Sequence, residues 1–452
     1  MTTYKNIPIY LFLFFALIVN IFIFNNYRVE DIDDPWSLSF AYNYTHNNYE
    51  FDRVYKTEKL GGVAYFGKIY SYLYSSILDI AGWTKLNGHI ISSLLVYLSL
   101  FFWFKNFTRI GIDRNKIFII LLLMLVFEPY VSMGNKTRSD ALAYFFSTLC
   151  FFFFMRKNYT LAGFVGMLGL ETHPMGVTGF FYCLAYFIWQ HKSYFSHKKV
   201  LIKSIILFAL GILGGVALYL SLHYKTVFNI GGELDHFTRV SGATSNYLFS
   251  FFFESKKHRH LADFAIFLTG LLIYIIKKMY KEDKFPLILL SVLMVESFFL
   301  PRGNSNYAVF AYPAFLLLLT TVSFSIKKTN LVLLFVFLLM FPQYAYLYKM
   351  NYRKESQVDY INEVSTVIPD DGLPIFGSAN EWFAYYDRDF FYFYLIDDKP
   401  EVKECYLILE DHFRNHPQSI PARYNHRELI SEITHNDELI QIYYLLDDES
   451  ES

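Results

Sequence analysis

Residues 8–24, PIYLFLFFALIVNIFIF, run directly into NNYRVEDIDDPW at 25–36. An apolar run of this length, preceded by a head whose only basic residue is Lys5, has the character of a signal peptide or a first membrane span. No small-residue cleavage pattern follows it: the chain continues Asn25, Asn26, Tyr27, Arg28. The run is therefore expected to remain as a first span with its N-terminus in the cytoplasm. Immediately beyond it, Glu30, Asp31, Asp33 and Asp34 place four carboxylates within five residues at the mouth of a membrane. Such crowding raises the pKa of at least one of them.

The rest of the 452-residue chain repeats the first half of this pattern. Hydrophobic residues make up 54% and charged residues only 18%, too little charge for a wholly soluble surface. Apolar runs recur at roughly 89–104, 117–133, 139–155, 160–172, 174–190, 201–221, 261–276, 286–300, 307–325 and 331–348, about eleven segments with the first. With the first span directed outward, the inner connections carry Lys105, Arg109, Arg114 and Lys116; Arg156 and Lys157; Lys192, Lys198, Lys199 and Lys203; Lys277, Lys278, Lys281 and Lys284; and Lys327 and Lys328. Every inner loop is basic, as the positive-inside rule requires. That parity needs 160–172 and 174–190 both to cross, with Pro174 ending one helix and opening the next.

The expected fold is an α-helical polytopic membrane protein with a small C-terminal α/β extracytoplasmic domain. Residues 1–350 form the transmembrane module with outer loops 25–88 and 222–260, and 351–452 form the second domain. In the latter the pattern predicts a helix at Val358–Ile368, a turn at Pro369–Gly372, a strand at Leu373–Gly377, a helix through Trp382, and strands near Phe390–Ile396 and Tyr406–Leu409. A formal net charge of −1 provides no field for a phosphate backbone, so nucleic acid is excluded as an expected partner. The three cysteines, Cys150, Cys183 and Cys405, make no disulfide framework.

Chemistry is expected in the outer connections. Asp34 before Pro35 suits a helix N-cap, which leaves Asp33 as the carboxylate without a structural duty and the candidate general base. Within Gly61–Trp83, residues Tyr65, Phe66, Ile69, Tyr72, Leu73, Ser76, Ile77 and Ile80 follow three- and four-residue spacing, which predicts an interfacial amphipathic helix. Lys136 and Arg138, beside the helix opened by Asp140, offer an anion site. Glu128 lies within an apolar run, where an ionisable group is costly. His173 in the Glu171–Pro174 break, and Arg302 and Tyr307 in the 301–307 break, fall on the same side.

Taken together, these residues resemble the integral-membrane GT-C glycosyltransferases, particularly the family 39-like bacterial relatives of protein O-mannosyltransferases and aminoarabinose transferases. Asp33-Asp34 resembles that family's Asp-Glu pair after the first span, and Tyr70–Gly82 is similar to its loop helix. Arg138-Ser139-Asp140 resembles its Arg-x-Asp, and Asn306-Tyr307 through Tyr312-Pro313 its late Tyr- and Pro-bearing span. The resemblance implies transfer of a sugar from a polyprenyl-phosphate donor, held in the membrane lipid, to an acceptor glycan, lipid or protein on the outer side, with inversion. It further implies Asp33, paired with Asp34, as base, and Lys136, Arg138, Arg302 and His173 on the donor phosphate. Glu128, Asp140 and Tyr307 would then contact substrate, with no metal or other cofactor. The alternatives are a non-enzymatic carrier of lipid-linked glycan and a polysaccharide polymerase or export protein.

Overall fold

The computed structural model describes residues 7–24, 33–47, 67–191, 195, 198–224, 261–299, 305–326, 330, 334, 336, 345, 356–410, 420–435 and 438–447. The expected span at 331–348 apart from three of its residues, the loop beyond residue 224, Glu30, Asp31 and Arg302 lie outside the described residues.

The helices, in chain order, are α1 (Ile7–Phe24), α2 (Asp33–His46), α3 (Lys68–Ala81), α4 (Lys85–Ile110), α5 (Arg114–Val126), α6 (Glu128–Gly134), α7 (Asp140–Met155), α8 (Tyr159–Thr172), α9 (Thr178–Trp189), α10 (Lys198–Leu222), α11 (Leu261–Ile276), α12 (Phe285–Phe299), α13 (Tyr312–Phe324) and α14 (Gln357–Ser365). Among the described residues α4 and α10 are long and apolar enough to cross a membrane, and α5 with α6 makes a third such length bent by 64°. The sequence predicts a single apolar segment at 117–133. The bend falls where Pro129 opens α6 and cannot donate to the preceding turn. Pro174 acts as expected: His173 is extended at φ −160°, and a 3-10 turn at Pro174–Val177 leads into α9.

Helix ends sort into two groups. At one end, the N-terminus of α5 meets the C-terminus of α13, with the Lys116 Nζ 5.6 Å from the Phe324 ring centroid. There too the C-terminus of α9 meets the start of α12 through Trp189 and Phe285, 5.2 Å apart. The opposite end gathers the starts of α2, α3 and α4, the α6–α7 and α8–α9 junctions, the end of α10 and the 3-10 turn at Ser305–Phe310. Close packing holds the bundle together. Where α8 crosses α10, a Cβ on Gly163 would lie 2.3 Å from the Phe208 carbonyl oxygen, and one on Gly211 2.0 Å from that of Thr160. Small residues let the two backbones touch, as membrane helices favour.

The amphipathic helix predicted in 61–83 is α3. Its Tyr70, Tyr74 and Leu78, spaced by four residues, are buried, while Tyr72, Ile77 and Ile80 remain exposed. The C-terminal domain pairs α14 with a five-stranded sheet: β1 (Ile375–Gly377), β2 (Phe390–Tyr392), β3 (Glu404–Glu410), β4 (His426–His435) and β5 (Glu438–Leu446), in the order β2-β1-β3-β5-β4. The first three strands are parallel, whereas β5 runs antiparallel to β3 and β4. The segment through Trp382 is a 3-10 turn at Ala379–Ala384. This domain rests on the site-bearing end of the bundle. Trp83 stacks on Tyr386 at 6.3 Å, and Tyr42 meets Tyr386 edge-on at 5.4 Å.

Gly211→Ala should lower thermal stability in detergent by about 1 to 3 kcal/mol, the cost of overpacking a tight contact. Gly214→Ala is the control, since its nearest neighbour outside the helix is Phe164 at an ordinary 3.6 Å. It should leave stability unchanged or raised. Equal loss in both would show that the α8–α10 contact is not the limiting one.

Candidate functional site

The site begins with a carboxylate that has no access to water. Asp34 is 0% exposed. Its Oδ2 accepts a hydrogen bond from the His89 Nε2 at 2.7 Å and lies 3.6 Å from the Lys85 Nζ. Its Oδ1 accepts from the Thr137 backbone N–H at 2.7 Å and from the Thr137 hydroxyl at 3.1 Å. Burial pushes this carboxyl up, but the attraction and hydrogen bond of His89, the charge of Lys85 and the Thr137 N–H outweigh it and hold the group well below the usual carboxylate range. The expected capping role differs from what is found. Helix α2 starts at Asp33, so Asp34 lies in its first turn and its carboxylate serves the α6–α7 junction. A sealed carboxylate needs counter-charge and donors, and these come from α4 and the junction.

This contact brings three segments together. Lys85 and His89 are one turn apart at the start of α4. Gly88 between them allows the junction to approach, because a Cβ there would lie 2.4 Å from the Thr137 Cγ2. Tyr70 of α3 donates its hydroxyl to the Thr137 carbonyl, and Ser93 of α4 donates to the Gly134 carbonyl at 2.9 Å. Asp33 is the residue before the anchor and Arg138 the residue after Thr137. The side chain of Asp33 lies outside the described part of the structure.

Beyond the anchor, four expected site residues converge. The Arg138 Nε lies 3.0 Å from the Asp140 Oδ2, and its Nη2 donates to the Tyr307 hydroxyl at 3.4 Å. The His173 Nε2 lies 3.5 Å from the Asp140 Oδ1 and 3.2 Å from the Tyr307 hydroxyl oxygen. The His173 Nδ1 accepts from the Met175 N–H at 3.2 Å, which assigns the ring proton to Nε2, facing the site. The Tyr307 hydroxyl thus lies within hydrogen-bond reach of both Arg138 and His173. Lys136 is half-buried on the same junction, and Glu128 opens α6 within electrostatic reach of Tyr312.

Three residues that sequence reasoning left unassigned complete the arrangement. Lys85 and His89 gave one usable signal, two basic side chains four apart at the start of an apolar run. Glu171, noted only as part of a break, is 2% exposed and caps α3, accepting from the Lys68 N–H at 2.8 Å and the Ile69 N–H at 3.2 Å. Its Oε1 also pairs with the His223 Nε2 at 3.0 Å, at the end of α10. Among the described residues no three His, Cys, Asp or Glu side chains converge as a metal site. What the cluster offers is positive charge and a tyrosine hydroxyl near the anchored Asp34.

No family model and no curated protein sequence matches the chain. Solved structures do. ArnT from Cupriavidus metallidurans bound to undecaprenyl phosphate aligns over 98% of both chains with a TM-score of 0.63 and 10% identity. The same protein in its apo state aligns over 97% of this chain and 98% of its own, with a TM-score of 0.63 and 9% identity. The archaeal oligosaccharyltransferase AglB from Archaeoglobus fulgidus, in complex with an inhibitory peptide and a dolichol-phosphate, aligns over 90% of this chain and 70% of its own, with a TM-score of 0.55 and 11% identity. The chain therefore shares the fold of these structures over nearly its whole length.

Asp34→Asn should destabilise the protein by about 3 to 5 kcal/mol near neutral pH, since it leaves Lys85 buried beside a neutral amide. The pH dependence has a definite sign. A carboxyl held below its unfolded value contributes stability above about pH 4, and this is lost as the pH falls through the native value. Thermal unfolding measured from pH 7 down to 3 should therefore show an acid decline in the wild type that is shallower in the variant. Parallel curves would assign the acid sensitivity to other carboxylates.

Proposed function

We propose that the chain is an integral-membrane glycosyltransferase that moves one sugar from a polyprenyl-phosphate donor to an acceptor glycan, lipid or protein, with inversion at the anomeric carbon. The observation that carries this reading is the hydrogen bond from the Thr137 N–H to Asp34, which sets the backbone of Asp33 beside that of Arg138. An acidic residue and a cation from separate segments with adjoining backbones suit inverting transfer from a phosphate. The GT-C fold, shared with proteins solved bound to undecaprenyl phosphate and to dolichol-phosphate, supports the lipid-linked donor.

In the proposed reaction Asp33 takes the proton of the acceptor hydroxyl as that oxygen attacks the anomeric carbon. The bond from that carbon to the phosphate oxygen breaks, and polyprenyl phosphate leaves carrying the electron pair. Arg138, with Lys136 and Arg302, meets the charge that grows on the phosphate, and the Nε2–H of His173 and the hydroxyl of Tyr307 supply neutral donors. Fixed donors in a water-poor site stabilise such charge more than bulk water does. Asp140 holds Arg138 and His173 in place, and Glu128 lines the acceptor side. Asp34, buried with both carboxylate oxygens engaged by internal partners, is an anchor, so the role of base falls to Asp33. No metal or other cofactor takes part. The chain crosses the membrane about eleven times, with the N-terminus cytoplasmic and the C-terminal domain extracytoplasmic, over the site.

Purified variants assayed with polyprenyl-phosphate sugars test this reading. Asp33→Asn should keep donor binding and lose turnover by ~10² to 10⁴. Arg138→Ala should weaken donor binding by ~1.5 to 3 kcal/mol, the worth of a hydrogen bond to a charged group. Full turnover in Asp33→Asn, with unchanged donor affinity in Arg138→Ala, would remove both assignments.

A further inference from the structure

Glu296 lies on α12 with 0% exposure, outside the cluster described above. Its Oε1 is hydrogen-bonded to the Thr178 hydroxyl, and its Oε2 has no hydrogen-bond partner among the described residues. The same Thr178 hydroxyl donates to the Met175 carbonyl at 2.8 Å. A hydroxyl has a single proton. If Glu296 were ionised, the Met175 carbonyl and the carboxylate would compete for that proton, and a buried charge would face one neutral group. If Glu296 carries a proton on Oε1, every contact is satisfied in one direction. Glu296 donates to Thr178, and Thr178 donates to Met175.

Met175 is also the residue whose N–H is accepted by the His173 Nδ1. The 3-10 turn at Pro174–Val177 therefore receives a hydrogen bond from Thr178 on one peptide and gives one to His173 from another. We propose that Glu296 is a positioning residue: as a neutral carboxylic acid it fixes this turn through Thr178, and the turn fixes His173 with its proton on Nε2, toward Asp140 and Tyr307. The effect on catalysis rests on the reading of His173 as a donor to the leaving phosphate, but the protonation and the tautomer do not. Glu296 acts through the turn and touches neither substrate nor reacting atoms.

Two measurements on the purified protein are independent of activity. The infrared difference between wild type and Glu296→Gln should contain the carbonyl stretch of a protonated carboxylic acid at neutral pH; its absence would overturn the proposal. Nitrogen NMR of histidine-labelled protein, with His173 assigned from His173→Gln, should show the Nε2–H tautomer in the wild type. Thr178→Val should lose that signature and Thr178→Ser retain it, whereas an unchanged His173 signal in Thr178→Val would refute the relay. In the transfer assay Glu296→Gln, whose amide donates to Thr178 as the acid does, should keep kcat. Glu296→Met should lower kcat roughly five- to tenfold, as for one lost neutral hydrogen bond. A Glu296→Gln variant as impaired as Glu296→Met would contradict a donating acid. If the wild type transfers no sugar, the glycosyltransferase reading fails while the infrared and NMR outcomes still decide this one.

Discussion

A fully buried carboxylate with two basic neighbours is expensive to assemble and more expensive to break, and the site end of this bundle depends on one. Asp34 has the Lys85 ammonium 3.6 Å away and the His89 imidazole at 2.7 Å, and it accepts two hydrogen bonds from Thr137. Each partner belongs to a different segment from Asp34 itself. Removing any of them leaves a charge or a donor buried without compensation, which is why such clusters specify a single arrangement. Their yield here is geometric: the acidic segment after α1 and the Arg138 junction are held one residue apart.

A second shared segment supports the same face. Glu171 and His173 are two residues apart at the break between α8 and α9. Glu171 closes the first turn of α3 and receives the end of α10, while His173 turns inward to Asp140 and Tyr307. Docking of the amphipathic helix and orientation of a site residue are thus coupled through a rigid stretch of backbone. The C-terminal domain adds a roof, its Trp382 and Tyr386 packed on Trp83. The other end of the bundle carries the basic α4–α5 and α11–α12 connections, apart from the Arg138 cluster.

Much of this was legible in the sequence, and the parts that were not share a cause. Hydropathy marks the helices because burial in a bilayer or a bundle requires apolar length, and Pro174 marks its break because proline lacks an N–H. Arg138, Asp140, His173 and Tyr307 stood out as polar residues at the ends of apolar runs, and the structure brings these four together. Asp34 did not reveal its role: the pair Asp-Pro signals a helix start locally, while its true partners lie 51, 55 and 103 residues away. Glu296 was hidden in the same way, in an apolar run with its partner 118 residues distant. The β4–β5 hairpin was missed because β4, exposed along most of its length, carries Arg427, Glu428 and Glu432 where an apolar run would have announced it.

The central claim is that the acidic pair and the Arg138 cluster form one anion-binding, proton-accepting site at the roofed end of the bundle. The most direct measurement is an experimental structure of the protein with a polyprenyl phosphate bound. The account predicts the phosphate within hydrogen-bond distance, roughly 3 Å, of the Arg138 guanidinium, with the Asp33 carboxylate facing it across a gap that admits an acceptor hydroxyl. A phosphate seated at the opposite end, among Arg114, Lys116 and their basic neighbours, would contradict it.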